Sequence, residues 1–124
     1  MSEPGGSRPA AGSTELLSAV RFQEELRHAA RFRTRLLVTD PLGLAVKKIE
    51  QNPAFSQSRL LTRVLAALTY EMGEFRRAEI ASFDSETLTL VVTLMDARAA
   101  GTSTREDWVR AADAAKAAEL GAGA

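Results

Sequence analysis

A chain of 124 residues with 45% hydrophobic and 26% charged side chains sits among ordinary globular domains, far from the low-hydrophobicity, high-charge composition of disordered chains. Sixteen basic side chains balance sixteen acidic ones, which argues against bulk nucleic acid or an anionic membrane as the main partner. The absence of cysteine excludes disulfides, thiolate catalysis and cysteine zinc sites.

Residues 1–13 mix Gly, Pro, Ser and Ala without periodicity, so the sequence predicts a disordered tail ahead of one helical domain over residues 14–120. The beginning of the chain lacks the apolar stretch of a signal peptide, and no run approaches the roughly 18 apolar residues of a membrane span. A cytoplasmic location is the expectation. Lysine occurs only at Lys47, Lys48 and Lys116 while arginine and alanine abound, a usage typical of GC-rich bacterial genomes.

Thr14 stands where an N-cap belongs, and a first helix is predicted from there to about Val38, ahead of Asp40-Pro41. Phe22, Leu26, Ala29, Ala30, Leu36 and Leu37 share one face of it, and Glu24, Arg27, His28, Arg31 and Arg35 another. Asp40-Pro41 opens a second helix, with proline at a position whose missing N–H costs nothing, and Asn52-Pro53 closes it. Ser56 or Ser58 is the expected cap of a third helix to Met72, whose face is Leu60, Leu61, Val64, Leu65, Leu68 and Met72, with Gly73 as its C′ residue.

The segment after Gly73 admits two readings. As helices, 75–82 forms a short one, Asp84 or Ser85 caps the next, and that one runs to Ala100 before Gly101. As strands, the β-branched run Thr87–Leu94 belongs to a hairpin within 75–94, which makes the fold α+β. The 3,4 spacing of Leu88, Val91, Val92, Met95 and Ala99 favours helix, and Leu90 and Leu94 widen the apolar arc to that of a buried central helix. Ser103 with Glu106 fits a capping box for the last helix, with Thr102 and Thr104 as alternatives and Asp107 adding charge at its positive end. Trp108, Ala111, Ala112 and Ala115 form its inner face, and residues 121–124 form a frayed end. The fold class is thus all-α, a compact bundle of five or six helices.

Chemistry-bearing constellations are few. Arg27, Arg31 and Arg35 at four-residue spacing, with Arg21 nearby, form a face able to meet phosphates or an acidic protein surface, though Glu24 and Glu25 interrupt it. A helix-turn-helix within 58–100 would need its most apolar helix as the reading element, with Arg98 alone to offer base edges. His28 is the only histidine, so no multi-histidine metal site exists, and neither a nucleophile elbow nor a glycine-rich phosphate loop is present. Phe75-Arg76-Arg77 combines the residue types that dominate protein-binding hot spots.

The run from Leu60 through Gly73-Glu74-Phe75-Arg76-Arg77-Ala78-Glu79-Ile80 to Trp108 resembles small conserved proteins of GC-rich proteobacteria such as Burkholderia that carry no assigned function. The resemblance implies no activity, cofactor or catalytic residue. The sequence therefore points to a non-enzymatic helical domain without cofactor that binds a protein or itself, with Arg21, Arg27, Arg31, Arg35, Phe75, Arg76 and Arg77 as candidate contacts. The alternative is a nucleic-acid-associated regulator using the arginines of the first helix.

Overall fold

A computed structural model of the chain describes residues 15–123 apart from 32, 34 and 36. In chain order its elements are β1 (Leu16–Ser18), α1 (Ala19–Ala29), α2 (Pro41–Gln51), α3 (Ser56–Tyr70), β2 (Glu74–Arg76), α4 (Ala78–Ser82), α5 (Ser85–Ala100) and α6 (Arg105–Gly123). The described chain is a helical bundle with one small antiparallel sheet. The N-terminal tail over 1–13, and Thr14 with it, lies outside the described residues.

Two local signals act as the sequence predicts. Asp40 caps α2 by accepting from the Gly43 amide at 3.0 Å, and Pro41 occupies its first turn. Asp84 caps α5 by accepting from the Thr87 amide at 2.7 Å, and Gly101 ends it with φ +67°. The Thr87–Leu94 run is therefore helix, and no hairpin forms within it. Residues 90 to 95 are all buried, as befits a helix packed on several sides.

Other boundaries differ from the sequence reading. The first helix begins at Ala19, with Ser18 as N-cap accepting from the Arg21 amide at 3.2 Å, and stops at Ala29. Residues 16–18 instead pair with 74–76, placing Leu17 opposite Phe75 on the inner side of the sheet. Phe75 is thus strand, and only Ala78–Ser82 of the expected short helix is helical. Arg35 helps to end α1. Its Nη1 donates to the carbonyls of Arg33 at 2.7 Å and Ala30 at 3.4 Å, oxygens that a continuing helix would give to later amides. Leu37, expected on the apolar face, is fully exposed, and Leu36 lies outside the described residues.

Both serines expected to cap α3 lie inside it; the N-cap is Phe55, which provides no side-chain acceptor. At its other end Glu71, with φ 55°, takes the left-handed position expected at Gly73, and Met72 is exposed beyond it. The cause is again arginine: Arg98 and Arg105 donate to the carbonyls of Leu68 and Thr69, each at 2.6 Å, in place of two further helical amides. In α6 the reciprocal cap forms one residue after the favoured pair. The Asp107 amide donates to Thr104 Oγ1 at 3.1 Å and the Thr104 amide to Asp107 Oδ2 at 3.0 Å.

One core results. Phe22 and Leu26 of α1, Ile49 of α2, Leu61 and Leu65 of α3, Phe75 of β2, and Leu90, Val91 and Leu94 of α5 are almost wholly buried. α6 closes the bundle against α2 and α3 with Trp108, Ala111 and Ala115, so Trp108 is a core anchor within a single chain.

Candidate functional site

The seven sequence candidates do not converge. Because α1 stops at Ala29, Arg21 and Arg27 share a helix while Arg31 and Arg35 follow it, and the four make no continuous stripe. Arg21 approaches Glu24 and Glu25 at 3.6 Å each, and exposed Arg31 meets His28 at 3.3 Å. Arg27 is exposed beside a shallow depression formed with Gln23, Leu68, Glu71, Met95 and Arg98. Arg35 is bound to Asp96 at 2.5 Å as well as to the two carbonyls that it occupies.

Phe75 is core rather than contact surface. Its ring stacks on Phe22 with centroids 3.8 Å apart and lies under the Arg63 guanidinium at 4.7 Å. Arg77 ties together the start of the described chain, α1 and the sheet: it donates to Glu15 Oε1 at 2.8 Å and Glu25 Oε1 at 2.7 Å, and its amide donates to the Glu15 carbonyl. The hydrogen bond from Arg77 to Glu15 raises the guanidinium's proton affinity further, so the charge is fixed. Arg76 alone of that trio presents its side chain outward, across from Leu16.

Besides a cleft of about 320 Å³ between α3 and α4, the described residues form concavities where helix faces or helix starts meet, among them two of differing size. The larger is an open groove of about 720 Å³ between α2 and α6. Gly43, Val46, Lys47 and Glu50 line it from α2, and Asp107, Arg110, Ala111 and Ala114 from α6; each set follows the i, i+3, i+4, i+7 spacing of one helix face. Its floor is apolar, with Leu42 and Ala111 buried and Val46 and Ala114 half-buried. Its rim carries both signs: Lys47 and Arg110 against Asp40, Glu50 and Asp107.

The smaller is a pocket of about 280 Å³ where the end of α2 meets the starts of α3 and α5, lined among others by Lys48, Phe55, Ser58, Asp84, Glu86 and Thr87. Gln57 locks the two helix starts together, donating to the Ser82 carbonyl at 2.8 Å and accepting from the Asp84 amide at 3.0 Å. Lys48 reaches Glu86 at 3.2 Å across it. Sequence reasoning weighed Ser58 and Asp84 as caps and Thr87 as the start of a β-branched run but did not bring them together, because nothing in residue order shows that these helix starts meet.

Among the described residues no group of three or more His, Asp or Glu side chains is placed to hold a metal ion, and no helix is long and apolar enough to cross a membrane. What the fold and grooves define is a small helical domain with surface concavities. No protein-family model, curated protein or solved structure matches the chain.

Proposed function

We propose that the chain is a non-enzymatic helical interaction domain whose α2–α6 groove binds protein, in the first instance a second copy of itself. The groove itself carries the reading. A helix face floored by alanine lets another backbone approach closely, and a rim bearing both signs on one patch suits a two-fold interface, in which the same surface must complement itself. Lys47 and Arg110 of one copy face Glu50 and Asp107 of the other in such an arrangement.

Sedimentation velocity across a concentration series tests this. The full chain sediments as a concentration-dependent dimer. Ala114→Glu places a charge on the half-buried floor and weakens association at least about tenfold, the cost of roughly 1.4 kcal/mol at an interface, while the circular dichroism spectrum is kept. A strict monomer at every concentration overturns the reading.

A further inference from the structure

Among the described residues five hydroxyl-bearing side chains are buried: Ser58, Thr62, Thr69, Thr87 and Thr93. Thr62, Thr69 and Thr93 each donate to a main-chain carbonyl. Ser58 and Thr87, only 7% and 3% exposed, have no side-chain hydrogen-bond partner among the described residues, and both line the same small pocket at the α2, α3 and α5 junction. A buried hydroxyl without a partner is costly, and two around one cavity mark a place where something polar is held.

The pocket is electrically two-ended. At the α3 end no side chain caps the helix and its first turn contains no acidic residue, so the amides there keep their positive partial charge. At the α5 end Asp84 and Glu86 stand at the helix start. Lys48 pairs with Glu86 at 3.2 Å, while Asp84, whose Oδ1 accepts from the Thr87 amide, lines the pocket together with the two hydroxyls and the first turn of α3. Gln57 holds those ends at a fixed separation. A lone oxyanion would answer one end and be repelled by the other, and so would a lone cation.

We propose that this pocket binds a small zwitterion of the α-amino acid class. Its carboxylate lies against the α3 amides and the Ser58 hydroxyl, and its ammonium against Asp84 and the Thr87 hydroxyl. The volume of about 280 Å³, just under the roughly 300–1,000 Å³ of ligand sites, is ample for glycine or serine. Phe55, exposed at the lip, is placed to cover the occupant.

The test is a titration of the isotopically labelled full chain with glycine and L-serine, followed by amide chemical shifts, with acetate and methylammonium run in parallel. Expected is saturable movement of the Gln57, Ser58 and Thr87 amides with the amino acids, and binding at least about tenfold weaker for either single-ended probe. Ser58→Ala and Thr87→Val weaken amino-acid binding about tenfold while chemical denaturation shows equal or greater stability, since each removes an unpartnered hydroxyl. Asp84→Asn keeps the capping oxygen, lowers affinity for the amino acids and leaves that for acetate unchanged. Three results overturn the proposal: no saturable shift with either amino acid, ordered water being then the occupant; acetate binding as tightly as glycine; or hydroxyl-deletion variants that lose stability and keep full affinity.

Discussion

Phe75 and Arg76 are neighbours in sequence and opposites in environment, and a three-residue strand is the reason: alternate residues point to opposite faces, so Phe75 enters the core and Arg76 leaves it. Phe75→Ala removes a ring that stacks on Phe22 and supports Arg63, and denaturant unfolding should record a loss of about 3–5 kcal/mol. Arg76→Ala should change stability by no more than about 0.5 kcal/mol. A second residue-scale effect concerns Glu79, whose carboxyl is held below its ordinary value by the Arg63 guanidinium and, against some burial, by the Arg76 amide. The folded-state value is depressed, so this contribution is complete above the unfolded carboxylate's range and disappears as pH falls through the folded value. Melting curves recorded between about pH 7 and pH 3 should show wild type losing stability more steeply on the acid side than Glu79→Gln, which starts lower at neutral pH.

At the scale of elements, legibility in the sequence followed the range of the deciding interaction. Asp40-Pro41, Asp84 and Gly101 act within one turn of their own helices, and α2 and α5 begin or end where those residues place them. β1 and β2 were invisible because three residues cannot display a period and their partners lie more than fifty positions apart. The ends of α1 and α3 were misplaced for a related reason. Arg35 folds back on Ala30 and Arg33, and Arg98 and Arg105 arrive from α5 and the start of α6 to take the last α3 carbonyls. The groove face of α6 could be read from 3,4 spacing, whereas the small pocket depends on two hydroxyls being left without partners, a property of the assembled helices. Gly101 gives a clean test of a helix end: a methyl group there meets nothing within 4 Å, so Gly101→Ala carries only the left-handed backbone penalty. A destabilisation of about 1 kcal/mol by denaturant midpoint is expected, with α5 content unchanged. A much larger loss would mean that the turn into α6 depends on more than backbone conformation.

Over the whole molecule, residues 1–63 carry ten basic and six acidic side chains and residues 64–124 six basic and ten acidic, and ion pairs join the two halves. Arg35 meets Asp96, Lys48 meets Glu86 and Arg63 meets Glu79, each joining a base from the first half to an acid from the second, while Arg77 returns the exchange to Glu15 and Glu25. These contacts tie α4, β2 and α5 to the elements before them, and each withdraws a guanidinium or ammonium from outward-facing duty. The consequence concerns nucleic acid. A protein that neutralises several phosphates does so with a contiguous basic stripe, and its affinity rises steeply as salt is lowered. Here the arginines that the sequence aligns at four-residue spacing separate at the end of α1, and Arg35 is committed to Asp96 and two carbonyls. Titration of labelled duplex and single-stranded DNA at about 50 mM salt, where release of counterions favours binding most, should therefore give no saturable signal. A saturable signal whose logarithmic salt slope corresponds to several phosphates would instead give the α1 surface to nucleic acid, and Arg27→Ala would then have to reduce that slope by about one.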